Sequence, residues 1–289
     1  MKNLEKCLTE IALPEGFWQE RYKQSVVPVS RLEKEKKMLL KNKEIDCTPF
    51  AYMENMKELI LHDCHLKNLS AIARMPQLKS LVFVRCTFDG EQLSAFADAP
   101  SLKELSLNVM SGAGLAGLSG LKSLKSLRIR ALTDVRIEEL SAFTAIQELC
   151  IEDMGLRDAS FIGGLNNLKK LDLCASELMD LDFLKNLTKL TEFNLTKPAE
   201  REDGLSAVSG LTKLKEFIYP VRDISIYKGQ GTLERVGMAA SVTEGFEVFA
   251  GSKVESFALL GDVADGQPER IKQQMEKYVK IRSWGVRKG

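Results

Sequence analysis

The sequence has 289 residues, of which 44% are hydrophobic and 28% are charged, and its formal net charge is +1 at pH 7. This balance gives no electrostatic reason to expect nucleic acid or an anionic membrane as a partner. The six cysteines show no C-x-x-C spacing, which argues against a disulfide framework and favours reduced thiols in a cytosolic protein.

The beginning of the sequence does not have the pattern of a secretory signal peptide, because Glu5, Lys6 and Glu10 interrupt its apolar residues. No apolar run along the chain approaches the roughly 18 residues that a membrane-spanning helix needs. We therefore expect a cytoplasmic protein.

Residues 1–34 are predicted to form an N-terminal helical cap. Leu4, Leu8 and Ile11 fall on one face of a helix that ends before Pro14. A cap is expected there because a stack of repeats exposes its apolar interior at both ends.

A short sequence motif occurs eight times between Met56 and Tyr219, after one degenerate copy in residues 35–55. It has apolar residues at its first, fourth and sixth positions and recurs every 22 or 24 residues. The eight copies begin at Met56, Leu78, Leu102, Leu124, Ile146, Leu168, Leu190 and Leu214. A period of this length indicates a solenoid, in which each repeat buries its apolar side chains against its neighbours.

The pattern L-x-x-L-x-L at this period resembles the leucine-rich repeat, in particular the 22-residue repeats of bacterial internalin-like and phosphatase-regulator-like proteins. The resemblance implies an α/β solenoid over residues 35–219. Its implied form is a right-handed superhelix, with a parallel β-sheet on the concave face and short helices or 3₁₀ turns on the convex face. The spacing of three in Leu178, Leu181, Leu184 and Leu187 agrees with such turns.

The repeat pattern weakens after Tyr219. Residues 220–264 are predicted to be irregular repeats, and residues 265–289 a C-terminal cap of one helix and one edge strand. Pro268 lies near the first turn of that helix, where proline is favoured. A separate small domain at this end is the alternative.

One glycine motif looks like a cofactor site. Gly112, Gly114 and Gly117 match the G-x-G-x-x-G pattern of dinucleotide binding, directly after a predicted strand. However, Leu115 occupies a position at which the repeat places an apolar residue. The next strand begins near Leu124, which leaves too little chain for the crossover helix of a βαβ unit. We interpret the glycines as part of a repeat and expect no cofactor.

The run His62-Asp63-Cys64-His65 contains four potential metal ligands. The four side chains are predicted to point in different directions, whereas the ligands of a zinc ion must converge on it. We therefore expect no metal here. Cys64 lies at the ninth repeat position, where leucine-rich repeats place Asn or Cys, and is predicted to be buried. Since the sequence has two histidines, both in this run, it offers no catalytic arrangement with Cys150 or Cys174. We expect no enzyme.

The outward positions of the predicted strands form a pattern that begins apolar, becomes basic and then acidic. Exposed apolar groups beside paired charges are typical of a protein interface. The sequence therefore predicts a non-enzymatic scaffold that binds a protein partner on its concave face. The candidate binding residues are Ile60, His62, Val82, Val84, Asn108, Arg128, Arg130, Glu152, Asp172 and Asn194.

Three alternatives remain open. In the first, Arg128 and Arg130 serve only to pair with Glu148 and Glu152 on the next strand. The polar loop 197–204, which lengthens one repeat, is a second candidate contact surface. The protein is alternatively a secreted or surface adhesin or host-interaction factor of the internalin type.

Overall fold

The computed structural model describes residues 34–42, 44–88, 93–97, 99–111, 114–174, 178, 180–196 and 205–287. The helical cap predicted for residues 1–34 lies outside the described residues except at its last position. The loop 197–204 lies outside them as well. The chain divides into two compact units between Ile146 and Gln147, which are called unit 1 and unit 2.

Unit 1 contains two sets of parallel strands. Its strands are β1 (Lys37–Lys41), β2 (Glu44–Asp46), β3 (Glu58–His62), β4 (His65–Lys67), β5 (Ser80–Val84), β6 (Thr87–Phe88), β7 (Glu104–Ser111) and β8 (Ser126–Thr133). Strands β1, β3, β5, β7 and β8 pair in parallel in that order, and β2, β4 and β6 form a second, three-stranded sheet. The predicted α/β solenoid with a parallel sheet is confirmed.

The alternation of apolar and polar residues explains these strands. In β3, Leu59 and Leu61 are fully buried, while Ile60 between them is exposed. Leu59 pairs in register with Leu81, so equivalent leucines of successive coils stack in the core. Because successive side chains of a strand point to opposite sides, each strand buries one face and presents the other.

Each coil of unit 1 leaves its strand through a sharp turn. Asp63 and Arg85, which follow β3 and β5, have the left-handed backbone conformation, with φ values of +55° and +50°. In this conformation the Asp63 N–H donates to the Val84 carbonyl at 2.8 Å, and the Arg85 N–H donates to the Asn108 carbonyl at 2.9 Å. These bonds between coils fix the position of each strand end.

In the described part of unit 1, the segments between the main-sheet strands contain short helices, which are mostly 3₁₀ helices, as the spacing of three predicts. One helix, α1 (Ser70–Ala73), is a single α-helical turn. The 3₁₀ helices span Thr48–Tyr52, Leu93–Phe96, Ala116–Gly120 and Ile137–Ala142.

Unit 2 repeats the same plan. Its strands pair in parallel in chain order and are β9 (Glu148–Glu152), β10 (Lys170–Cys174), β11 (Glu192–Thr196), β12 (Glu216–Ile218), β13 (Arg235–Ala239), β14 (Ser256–Leu260) and β15 (Ser283–Arg287). The 3₁₀ helices span Ser160–Gly164, Asp182–Asn186, Leu205–Gly210, Ile224–Tyr227 and Phe246–Phe249. Helix α2 (Gln267–Met275) has proline in its first turn and buries Ile271 and Met275.

Aromatic rings replace many of the leucines in the core of unit 2. Phe193 stacks on Phe217 with 5.6 Å between ring centroids, and Phe217 meets Tyr227 edge-to-face at 6.2 Å. Tyr227 lies 5.7 Å from Phe249, which in turn meets Phe257 at 5.2 Å. The packing of rings carries the core past the last clear repeat of the sequence.

Candidate interaction surface

The outward side chains of the main sheet in unit 1 form one surface, called strand face 1. Parallel pairing places them in rows, with neighbouring strands about 4.8 Å apart. The central row consists of Leu39, Ile60, Val82, Ser106 and Arg128. The C-terminal row consists of Lys41, His62, Val84, Asn108 and Arg130.

Strand face 1 begins with an aliphatic patch. Leu39 is 45% exposed and its register partner Ile60 is 37% exposed, and Val82 and Val84 are half-buried beside them. Leu39 was not among the residues predicted from sequence. Its position 21 residues before Ile60 is the signal that places it, since the first coil is one residue shorter than the common repeat.

A polar cluster borders this patch at the C-terminal ends of β3 and β5. The Arg85 guanidinium donates two hydrogen bonds to the Asp63 carboxylate, from Nε at 2.6 Å and from an Nη atom at 2.7 Å. The His62 Nδ1 lies 2.6 Å from Asp63, and its Nε2 lies 3.2 Å from Arg85. A neutral imidazole with its proton on Nδ1 satisfies both contacts.

This geometry sets the charges of the cluster. The hydrogen bond from Arg85, together with its positive charge, lowers the pKa of Asp63 below its ordinary value. The same bond raises the pKa of Arg85. Both groups therefore stay ionised and form an ion pair at the border of the patch.

The far end of strand face 1 is basic. Arg128 and Arg130 are exposed on β8. Between them and the aliphatic patch lies a neutral pair on β7, in which the Asn108 side-chain amide donates to the Ser106 hydroxyl at 3.1 Å. The acids proposed as alternative partners of the arginines belong to unit 2, so that ion-pair alternative stays a prediction.

In unit 2 the predicted residues are acidic or polar. Asn194 pairs in register with Asp172 and donates a hydrogen bond from Nδ2 to its carboxylate at 2.7 Å. Glu152 accepts a hydrogen bond from the Cys150 thiol at 3.1 Å. Each of these three predicted residues is half-buried, at an outward strand position.

Cys150 and Ile218 also occupy outward strand positions, but both side chains are buried. Cys150 is only 6% exposed and Ile218 only 1% exposed. Ile218 packs with Ala258 and Leu260 in a small apolar cluster of its own, on the side of the sheet that the repeat pattern assigns to solvent. Cys150 lies beside Glu152, to which it donates its thiol hydrogen.

Cys64 of unit 1 is buried, as predicted from its repeat position, and so is Cys86, which lies 22 residues later. Cys64 is 2% exposed and Cys86 is 3% exposed. A hydrogen bond with Cys64 and burial raise the pKa of the Cys86 thiol. Among the described residues, no three His, Cys, Asp or Glu side chains are placed to hold a metal ion. His65 instead lies 2.7 Å from the Thr87 hydroxyl.

From Gly114 to the start of β8, where the structure describes the connection, the chain forms no crossover helix. The connection from β7 to β8 contains only the 3₁₀ helix Ala116–Gly120, and the two strands pair directly. A dinucleotide-binding βαβ unit requires a longer helix between its parallel strands. The local structure at Gly114 and Gly117 therefore agrees with their interpretation as part of a repeat.

The sequence matches no family model and no curated protein. Among solved structures, the chain is similar over 99% of its length to a leucine-rich repeat protein of Leptospira interrogans, covering 87% of that chain with 16% identity and a TM-score of 0.58. The fold is that of a leucine-rich repeat protein. The strand faces described above are thus the sheet surfaces of leucine-rich repeats.

Other leucine-rich repeat structures share the fold. Internalin C2 of Listeria monocytogenes is 22% identical, with a TM-score of 0.52 over 65% of this chain and 82% of that one. TLR13, solved in complex with ssRNA13, has a TM-score of 0.58 and 16% identity over 81% of this chain and 41% of that one. In the part of the chain that the structure describes, no helix is long and apolar enough to cross a membrane.

Proposed function

We propose that this leucine-rich repeat protein is a non-enzymatic scaffold that binds a protein partner through its outward strand residues, in the cytoplasm. The observation that carries the proposal is the exposed aliphatic patch of strand face 1, where Leu39 and Ile60 stand side by side. Contiguous exposed apolar side chains with charged groups at their border are typical of protein interfaces.

The energetics favour such binding. Complete burial of a leucine or isoleucine side chain contributes about 1.5–3 kcal/mol, so covering the remaining exposed part of Leu39 and Ile60 contributes roughly 1 kcal/mol from each. Because both residues lie in paired strands, their backbone is ordered before a partner arrives, and binding loses little conformational entropy there.

The chemistry of the histidines and thiols supports a scaffold rather than an enzyme. His62 is held between Asp63 and Arg85, and His65 is held by Thr87. The raised pKa of Cys86 disfavours the thiolate, which is the nucleophilic form of cysteine. Neither arrangement activates a nucleophile.

The cysteines also support the proposed compartment. Cys47, Cys64, Cys86, Cys150 and Cys174, which are the cysteines in the described part of the chain, carry thiols rather than disulfides. Thiols of this kind persist in the reducing cytosol. The likeness to internalins concerns the fold alone, and a secreted adhesin stays the alternative. Recovery of the native protein from a culture supernatant, with the cytosolic fraction empty, would contradict the cytoplasmic proposal.

Affinity capture from the cells that produce the protein tests the scaffold. The full chain serves as bait in four forms: wild type, Ile60→Asp, Arg130→Glu and Lys122→Glu. Lys122 is exposed in the turn after the 3₁₀ helix Ala116–Gly120, outside the strand face, and its reversal matches the charge change at Arg130.

We expect Ile60→Asp and Arg130→Glu to lose the partner while Lys122→Glu retains it, with equal melting temperatures throughout. Retention by Arg130→Glu alone contradicts the placement of Arg130 in the contact. Retention by both strand-face variants contradicts binding at strand face 1.

A further inference from the structure

The central and C-terminal rows of strand face 1 share an unusual charge pattern. Their ten positions contain four aliphatic residues and three basic ones, and no acidic residue at all. The basic residues Lys41, Arg128 and Arg130 are all exposed. A ligand that lies across these rows from β1 to β8 therefore meets the aliphatic side chains, with Lys41 beside them, and then Arg128 and Arg130.

The acidic residues of the same strands lie elsewhere. Glu58 and Glu104 occupy the N-terminal row, one step along the strands from the central row. Glu58 is already 2.7 Å from Lys37. Past the C-terminal row, Asp63 stays ionised, but the Arg85 guanidinium, which donates two hydrogen bonds to it, compensates its charge. Within strand face 1, the central and C-terminal rows therefore carry basic residues and no acidic ones.

The sheet also fixes the distance between the aliphatic half and the basic half of strand face 1. Val82 on β5 and Arg128 on β8 belong to the same row and are separated by β7 alone. With neighbouring strands about 4.8 Å apart, the aliphatic and basic halves are roughly 10 Å apart, which is within the reach of one short peptide segment.

Resting on the proposed scaffold function, we infer that strand face 1 binds a segment of another protein that carries aliphatic side chains next to aspartate or glutamate. The aliphatic side chains cover Leu39, Ile60 and Val82, and the carboxylates meet Arg128 and Arg130. Carboxylates are the groups that a guanidinium binds with matched geometry, through paired hydrogen bonds. Unit 2 does not share this preference, because its corresponding residues Glu152 and Asp172 are acidic.

The test is selection of a displayed library of random peptides on the immobilised full chain. Selected sequences are expected to be enriched in Asp and Glu over Lys and Arg, with aliphatic residues nearby. For the best synthetic peptide, Ile60→Asp and the double variant Arg128→Glu/Arg130→Glu should each weaken binding about tenfold or more. Lys122→Glu should leave the affinity within about twofold, since exposed charges away from the contact are screened.

Selection on the double variant gives a second, independent readout. Reversal of the two arginines is expected to invert the preference, so that Lys and Arg replace Asp and Glu in the selected peptides. Binding of the wild-type peptide should also weaken with added salt, because the arginine contacts are exposed. If either variant lowers the melting temperature, Ile60→Thr and Arg128→Gln/Arg130→Gln replace them.

The outcomes separate the inference from the proposed function. Peptides that depend on Ile60 but are basic or uncharged overturn the acidic preference and leave the scaffold standing. Selection that yields no binder sensitive to Ile60 or to the arginines overturns both. Two further results overturn the inference: self-association of the chain in sedimentation that the same variants abolish, and competition by a single-stranded RNA oligonucleotide at the same site.

Discussion

A Cβ atom placed on Gly117 would lie 2.4 Å from the Cβ of Ser94 and 2.6 Å from its Cα. Gly117 belongs to the 3₁₀ helix Ala116–Gly120, and Ser94 belongs to Leu93–Phe96, the equivalent segment of the preceding coil. Glycine at this position therefore allows two coils to pack closely. This explains the last glycine of the motif without any bound phosphate.

Gly117→Ala should destabilise the protein. The added methyl group has no room, and overpacking of this kind costs about 1–3 kcal/mol. Gly164→Ala is the matched control, since a Cβ there meets nothing within 4 Å. Urea unfolding followed by circular dichroism compares the two. The control should be neutral or more stable by about 0.5–1 kcal/mol, because alanine restricts the unfolded chain. Equal stability of both variants would contradict the close approach.

Tyr227→Phe should weaken unit 2. The buried Tyr227 hydroxyl donates a hydrogen bond to the Gly237 carbonyl at 2.5 Å, and its removal leaves that carbonyl without this donor. Loss of a buried hydrogen bond that leaves one partner unsatisfied costs about 1–3 kcal/mol. Tyr278→Phe, at a side chain that is 42% exposed, removes the same oxygen from the surface. Thermal unfolding should separate the two variants, and an unchanged melting temperature for Tyr227→Phe would disprove the contribution of the bond.

Acid should destabilise unit 1 partly through Asp46. Burial raises the pKa of this carboxyl, but hydrogen bonds from Thr48 and Asn68 outweigh it and lower the pKa below the ordinary 3.8. A depressed pKa in the folded state contributes stability that is present above pH 3.8 and is lost as the pH falls through the folded-state pKa.

Asp46→Asn should therefore have a lower melting temperature than the wild type at neutral pH and a smaller further loss below about pH 4. Melting curves from about pH 7 to about pH 2 measure both effects. Asp262→Asn is the control for removal of one exposed carboxylate. Parallel curves for wild type and Asp46→Asn would rule out the contribution of these hydrogen bonds.

The thiols should differ in reactivity according to burial. Cys174 is half-buried, whereas Cys47, Cys64, Cys86 and Cys150 are buried. Iodoacetamide followed by peptide mass spectrometry should modify Cys174 well before the other four in the native protein. All five should react in urea. Modification of Cys86 as fast as Cys174 under native conditions would contradict both its burial and its raised pKa.

The repeated L-x-x-L-x-L motif predicted most of the fold. Burial of alternate residues, as at Leu59 and Leu61, is a local property with a period of two, so it is visible in any single strand. The spacing of three predicted the 3₁₀ segments in the same way. The contacts and burial of the outward side chains could not be predicted in this way, because they depend on residues one coil away.

The sequence by itself thus determined the repeating coils, the parallel strands and the buried leucines. The tertiary structure alone decided which outward side chains meet: Leu39 with Ile60, Asp63 with Arg85, and Ile218 with Ala258 and Leu260. These contacts join residues of different coils, and coil length varies along the chain. The register of the stacked strands, together with the length of each coil, determines which residues of successive coils lie side by side. The interaction surface consists of such neighbouring residues.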